Sequence, residues 1–296
     1  MTKPTLSVVI PTRNRHGMLM ATLKRLAAQQ GVGGHFEVIV ADDGSDDGSL
    51  DLLRGVVVES FDLRTLELPA RGPAHARNRG VDAARAGRVL LLGDDTMPAP
   101  DTLALHVAAV DELGVQGRID WDPKRPVSRA MSFLAPEGPQ FWFRGLSDGQ
   151  PVPWAQVLGS NLSAPTAWLR DEPFDERFAD ACMEDTELAW RWHRRGRRVV
   201  WSERAVCYHR HSYDSIEPFL DRQKLAGSWA RLAIRLHPAM VGKLVIEPVL
   251  FGAVRSAAFV ARRLVGRARR REELWDLQCR AAYVRGLVRP IPRTRG

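Results

Sequence analysis

Cysteine is scarce in this chain and it is scattered. Cys182, Cys207 and Cys279 are the only three, and no two form a CxxC pair. That excludes a disulfide-stapled scaffold and a thiolate zinc module, and it fits a reducing compartment. Long apolar runs are missing too. The longest candidate, Leu244 to Val265, is broken by Glu247, Pro248, Arg255, Arg262 and Arg263, so no segment reaches the roughly 18 uncharged residues of a spanning helix. The opening Met1-Thr2-Lys3-Pro4-Thr5 runs straight into apolar Leu6–Ile10, without the longer apolar stretch and small-residue cleavage site of a signal peptide. The expectation is a cytoplasmic protein, free in solution or peripheral at the inner face of the membrane. Lysine is also rare, five of 43 basic residues, a bias that codon composition explains before recognition chemistry does. No internal repeat is evident.

What is present is a chain of 296 residues, 45% hydrophobic and 26% charged. Those values exclude a disordered or collagen-like chain and allow one large α/β domain with additions, or two domains. The net charge of +8 is unevenly placed. Residues 261–296 carry eleven arginines against three acids, which is the whole formal excess, so the first 260 residues are neutral. A nucleic-acid enzyme carries its basic charge around the working cleft. Here it sits in a C-terminal appendage, which reads as an anchor for an anionic surface and against a nucleic-acid partner.

Strand and helix signals alternate along the first hundred residues. Strands are expected at Ser7–Pro11, Phe36–Ala41, Leu63–Leu68 and Arg88–Leu92. Helices are expected at Gly17–Gln30, Ser49–Arg54, Gly72–Ala86 and Pro100–Leu113. This alternation predicts an α/β fold with a mostly parallel sheet. From Val115 to Ser163 the pattern turns irregular, rich in proline and aromatics. A helix from about Asp185 to Arg195, a strand Arg198–Ser202 and helical patterns from Ile216 onward follow.

Three of the early strands end in polar clusters: Thr12-Arg13-Asn14-Arg15, Asp42-Asp43-Gly44-Ser45 and Gly93-Asp94-Asp95. Ligands bind open α/β sheets at the carboxyl ends of strands, so two acidic clusters converging on one crevice imply a cation or hydrogen-bond donors between them. Asp42-Asp43-Gly44 also suits an ordinary strand-to-helix turn. Asp94-Asp95, directly after an apolar strand, suits a hard cation such as Mg²⁺ or Mn²⁺ bridging to a diphosphate. Glu184, Asp185 and Glu187 open a helix; acids there answer the macrodipole, or present a general base. In Tyr208-His209-Arg210-His211, a strand would put both imidazoles on one face.

In this order the clusters resemble the family 2 glycosyltransferases of the GT-A fold. The resemblance rests on Ser7-Val8-Val9-Ile10-Pro11-Thr12-Arg13-Asn14-Arg15, Val38–Ser49, Gly72-Pro73-Ala74-His75-Ala76-Arg77-Asn78-Arg79-Gly80, Leu90–Pro98, Gly159–Ser163, Phe174–Phe178 and Glu184–Arg191. It covers about residues 5–212. It implies a GT-A catalytic domain over 1–212, with a nucleotide-binding half to about 114 and an acceptor-side half from 115, followed by a helical, Arg-rich extension over 213–296. It also implies roles. Pro11, Thr12, Arg13 and Asp43, with Asp42 in support, hold the donor nucleotide; Arg71 adds a basic contact and Asp94 a ribose or sugar contact. Asp95 and His209 (His211 less well) hold Mg²⁺ or Mn²⁺, Asn161 lies near the donor sugar or acceptor, and Asp185 is the base with Glu184 beside it. One departure is plain: Gly93 stands first in the aspartate-any-aspartate motif. The Gln-x-x-Arg-Trp signature of processive relatives is absent, since Gln223 is followed by Lys224-Leu225-Ala226-Gly227, which implies a single-transfer enzyme.

The implied reaction moves one sugar from a nucleoside-diphosphate sugar to a hydroxyl of a carbohydrate, lipid-linked or small-molecule acceptor, with inversion. A nucleotidyltransferase would want a Gly-rich loop bearing basic residues after the first strand, which residues 12–17 do not supply. A catalytically silent, surface-tethered nucleotide-sugar binder is the other alternative; Asp43, Asp95 and Asp185 together speak against it. Sugars and isoprenoid chains both present apolar faces that suit aromatics, so Trp142 and Trp154 are expected on the acceptor side; packing into a strand pair is the alternative. In the tail, Leu250, Phe251, Val254, Ala257, Ala258, Ala261, Leu264 and Val265 recur at helical spacing beside Arg255, Arg262 and Arg263. Such a stripe suits an anionic membrane surface, or packing against the catalytic domain or a second subunit in a homodimer.

Overall fold

The computed structural model describes residues 3–264 and 271–292. Val265 and the arginines at 267, 269, 270, 293 and 295 lie outside the described residues. By internal packing the chain divides into two units, one of residues up to 127 plus 135–211, the other of residues 128–134 plus those from 212 onward.

The first unit is built on an eight-stranded sheet. In chain order its elements are β1 (Ser7–Thr12), α1 (His16–Ala27), β2 (Glu37–Asp42), α2 (Ser49–Arg54), β3 (Asp62–Glu67), α3 (Pro73–Ala83), β4 (Arg88–Leu91), β5 (Thr96–Pro98), α4 (Thr102–Val107) and β6 (Leu113–Trp121). After α5 (Arg129–Leu134), which belongs to the second unit, come β7 (Leu162–Pro165), α6 (Thr166–Asp171), α7 (Glu184–Arg194) and β8 (Arg198–His209). The strand order is β3-β2-β1-β4-β7-β6-β8-β5. Six strands run in one direction, and β7 and β5 run against them. The expected α/β fold with a mostly parallel sheet is therefore present.

The parallel half follows from composition. Val8-Val9-Ile10, Val38-Ile39-Val40 and Leu90-Leu91-Leu92 have no exposed surface, as expected for strands covered on both faces. Helix α3 lies close on β1, since a Cβ on Gly80 would stand 2.4 Å from Val9 Cγ1. At the amino end of the sheet, buried Glu37 accepts bonds from Ser7 Oγ (2.6 Å) and from Arg85 Nε (2.9 Å). That end is committed to stability.

The sequence reading needs correction in the second half of the sheet. The helix expected over Pro100–Leu113 stops at Val107, and Leu113–Trp121, which overlaps the end of that helix and the stretch expected to be irregular from Val115, is a nine-residue strand. Its two glycines mask it. A Cβ on Gly117 would stand 2.3 Å from Asn161 Nδ2 and 2.4 Å from Ala205 O, and one on Gly114 would stand 3.0 Å from Val199 Cγ2. These are close-approach positions in a strand interior. Strand β8 likewise continues past Ser202 to His209, through a register shift opposite Gly117–Ile119.

In the second unit, α8 (Glu217–Leu236) and α10 (Arg271–Leu287) cross with their backbones in contact. A Cβ on Gly227 would meet Tyr283 O at 2.1 Å, and one on Gly286 would meet Lys224 O at 2.1 Å. Between them in sequence, α9 (Glu247–Leu264) turns Arg255 toward Asp276 of α10 (3.1 Å). Helix α5 joins this unit through Arg129–Glu272 (2.8 Å) and Phe133–Trp275 (ring centroids 5.5 Å).

Candidate active site

The register Thr12↔Asp42, with β4 parallel on the other side of β1, brings three strand ends to one edge. There Thr12 Oγ1 donates to Asp94 Oδ2 (2.9 Å), and Thr22 Oγ1 donates to the Asp94 carbonyl (2.7 Å). The guanidinium of Arg15 spans the acidic pair: one nitrogen, Nη1, lies 3.2 Å from Asp94 Oδ1 and 2.8 Å from Asp95 Oδ2. His209, the last residue of β8, brings Nε2 to 3.6 Å from Asp95 Oδ1. Burial and the neighbouring charge of Asp95 push the Asp94 carboxyl up to about 6. Burial acts the same way on Asp95, but His209 and Arg15 outweigh it and hold that carboxyl below the ordinary range. An open cleft of about 410 Å³ adjoins the pair, lined by Asn14, Arg15, His16, Asp47, Asp95 and His211 among others.

Asp43 is fixed by a turn. Its carboxylate accepts the backbone N–H groups of Arg71 (2.9 Å) and Gly72 (3.0 and 2.9 Å), and its own N–H donates to Thr12 O (2.9 Å). Only glycine fits at 72: φ is +102°, and a Cβ would stand 2.3 Å from Ala179 O. The Arg71 residue is exposed and Pro11 is half-buried. Asp42 is fully buried and accepts Ser45 N–H at 2.7 Å. Arg13 is half-buried, and its Nη1 has no hydrogen-bond partner among the described residues.

A second cluster forms at the N-terminus of α7, where Met183 takes φ +73° and so starts the helix at Glu184. Asp185 is half-buried; Oδ2 accepts Gly159 N–H (2.9 Å) and Oδ1 accepts Thr186 N–H (2.8 Å). Glu184 points inward, buried, with Oε1 2.7 Å from Arg77 Nη1. Burial, followed by the charge of Asp185, raises its pKa against the pull of Arg77. Arg77 lies over the Phe174 ring at 5.3 Å. The two clusters meet through consecutive residues. A Cβ on Gly159 would touch Asp185 Cβ and Arg77 (both 3.4 Å), while one on Gly93 would lie 3.3 Å from both Ser160 Oγ and Asp95 Oδ1.

The aromatic region does two jobs. Trp121 and Phe141 set their rings 5.8 and 5.4 Å from the His209 ring, and Phe143 packs 4.3 Å from Trp201. Trp142 is 52% exposed, and half-buried Trp154 sets its edge against Trp190 at 5.0 Å. His209 and His211 do not share one strand, because β8 ends at His209; their rings are still 6.1 Å apart. Asn161 requires correction as a sugar contact. It has no exposed surface, and its amide donates to Arg118 O (2.9 Å) and Ala205 O (2.8 Å) while Oδ1 meets His106 Nε2 (2.9 Å). Its side chain ties β6, β8 and α4 together, and it has no surface open to a ligand. Arg15 and Arg77 are the side chains at these clusters that the reading of single clusters missed. Both stand inside the quoted motifs, but their partners lie 79 to 107 residues away.

Comparison with known proteins gives the family and the fold. Residues 7–177 match the model of glycosyl transferase family 2. A validoxylamine A glucosyltransferase of Streptomyces hygroscopicus subsp. limoneus is 28% identical over 95% of this chain, which spans 66% of that protein's length. A mannosyltransferase of Pyrobaculum calidifontis, solved with GDP-Man and Mn²⁺, superposes with a TM-score of 0.66 at 18% identity, over 97% of this chain and 87% of that one. TarS of S. aureus, solved with UDP-GlcNAc, gives 0.52 at 22% identity, over 75% and 65%. At these identities the two structures bear on the fold alone.

Proposed function

The chain belongs to glycosyl transferase family 2, and on that premise we propose that it moves one sugar from a nucleoside-diphosphate sugar to an acceptor hydroxyl, with inversion and with Mg²⁺ or Mn²⁺ as cofactor. The observation that carries the reading is the joining of the two clusters: Asp185 is bonded to Gly159 N–H, and the next residue, Ser160, borders the Gly93–Asp95 turn. The proposed base and the acidic pair proposed for the diphosphate's ion thus border the same short segment, Gly159-Ser160.

The donor set fits a divalent ion of this kind. Among the described residues no group of three or more His, Cys, Asp or Glu side chains forms a closed metal cage. Asp95 and His209 offer an oxygen and a nitrogen, leaving positions for phosphate oxygens and water, which is how Mg²⁺ and Mn²⁺ sit in nucleotide sites. When bound there, the ion neutralises charge on the diphosphate leaving group.

The chain's own residues do the rest. The Asp43 carboxylate retains lone pairs beyond its two backbone bonds and accepts from the nucleobase, with Thr12, Pro11, Arg13 and buried Asp42 shaping that end and Arg71 reaching the nucleotide from the exposed turn. Asp94 accepts from the ribose or sugar. Asp185 takes the acceptor's proton through a carboxylate oriented by Gly159 and Thr186; orientation within hydrogen-bond reach is what makes a carboxylate an effective base. Trp142 and Trp154 offer aromatic faces to the acceptor. We extend the reading to α9: Leu250, Phe251 and Val254 are 60%, 55% and 66% exposed, and no helix among the described residues is long and apolar enough to cross a membrane. This face favours peripheral attachment to an anionic membrane and an acceptor met at its surface.

The test is release of nucleoside diphosphate from a panel of UDP-, GDP- and TDP-sugars with Mn²⁺ or Mg²⁺. Asp95→Ala should weaken metal-dependent donor binding. Asp185→Asn should leave donor binding nearly intact and lower kcat, because the missing interaction belongs to the transition state. Near-normal turnover by Asp185→Asn would remove the base assignment.

A further inference from the structure

We propose that Arg15 is a built-in competitor for the divalent cation, so that a metal binds tightly here only together with a nucleoside diphosphate that gives Arg15 a new anionic partner. The inference rests on the reading of Asp95 as the metal ligand. Asp94 and Asp95 are consecutive, buried and like-charged, and a single nitrogen of Arg15 bonds both. His209 brings Nε2 to 3.6 Å from Asp95 Oδ1, and His211 also acts electrostatically on Asp95. Gly93 stands where a third acid would enlarge the anionic cluster, and a side chain there would meet Thr96 Oγ1 at 2.7 Å and Asp95 Oδ1 at 3.3 Å. Two carboxylates therefore serve a guanidinium, an imidazole and an incoming divalent ion. A metal on Asp95 must take the place of Arg15, because adjacent cations repel as adjacent acids do.

Arg15 has somewhere to go. It is the residue just before α1, its side chain is 46% exposed, and it forms the wall of the cleft with Asn14, His16, Gly17 and Met18. A guanidinium pairs with phosphate as readily as with carboxylate. A diphosphate entering the cleft would stabilise the displaced Arg15 and complete the coordination of the ion in the same event. By linkage the coupling is reciprocal: metal strengthens nucleotide binding by the factor by which nucleotide strengthens metal binding.

The experiment measures Mn²⁺ binding to the full chain from the free-ion electron paramagnetic resonance signal, alone and with saturating UDP or GDP. Wild type should bind Mn²⁺ weakly alone and far more tightly with the nucleotide. Arg15→Gln should bind Mn²⁺ alone about tenfold to a hundredfold tighter than wild type, the range of one charge-assisted bond, and gain little from nucleotide. Arg15→Lys, which keeps the charge, should lie between them. Arg15→Gln should also melt below wild type without metal and recover with Mn²⁺, which confirms that it folds. An Mn²⁺ affinity for Arg15→Gln no tighter than wild type overturns the inference. The double variant Arg15→Gln/Asp95→Asn should lose the site; retained binding there overturns Asp95 as the ligand, an outcome distinct from failure of Arg15 alone.

Discussion

The buried pair Arg77–Glu184 behind the proposed base can be tested by removing only its cation. Arg77→Met keeps a long apolar stem against Phe174 and deletes the guanidinium 2.7 Å from Glu184 Oε1. With side-chain exposures of 7% and 3%, neither partner can turn to water, and breaking such a pair usually costs about 3–5 kcal/mol. Here the carboxyl sets a ceiling, because it can take a proton instead of staying charged. Protonating a glutamate whose ordinary value is 4.5 costs about 3.4 kcal/mol at pH 7 and about 0.8 kcal/mol at pH 5. Burial and Asp185 already favour the protonated form, so the loss should approach this ceiling without passing it. The sign follows: a carboxyl raised in the folded state destabilises increasingly as pH rises above its unfolded value. Urea unfolding of wild type and Arg77→Met at pH 5, 6 and 7 should show a destabilisation of about 2–3 kcal/mol at pH 7 that shrinks below about 1 kcal/mol at pH 5. A difference independent of pH would refute the reasoning, since the cost would then be packing and not charge. Turnover should fall as well, because Glu184 precedes Asp185 in the same helical turn.

Two further outcomes are expected. Burial pushes His106 down to about 4; it stays neutral between Ser163 and Asn161 (2.9 Å each). Its unfolded form takes up a proton first, so stability should be constant above about pH 6.5 and fall by about 2 kcal/mol on reaching pH 5; His106→Gln should lose that slope in urea titrations, and an unchanged slope would assign it to other groups. For α9, Leu250→Asn/Phe251→Asn should cut co-sedimentation with anionic liposomes at least about tenfold at low salt, and wild-type binding should weaken as salt rises. Equal sedimentation of the two proteins, or a loss of self-association instead, would give this face to a second subunit.

The sequence by itself determined the parallel half of the fold and the polar clusters at its strand ends. Three fully apolar segments, Val8–Ile10, Val38–Val40 and Leu90–Leu92, each run into a polar cluster, and this is local information: burial on both faces demands unbroken apolar strands, and turn and metal chemistry demands the residues that follow. Asp43 and Asp95 were visible for that reason, whereas Asp185 stood out at a helix start and His209 in a His-x-His run. Tertiary structure alone decided what each group faces. Strand β6 was hidden because its glycines are selected by the approach of Asn161 and Val199, a requirement that no propensity records. Asn161 looked like a ligand contact and is a strut. Arg15 and Arg77 stood inside the family motifs with no partner assigned. They became an acid-spanning cation and a buried counter-ion only when the order β2-β1-β4-β7 brought distant segments to one edge. Partner choice in a low-dielectric interior depends on ångström distances, and those are set by the packing of the whole sheet.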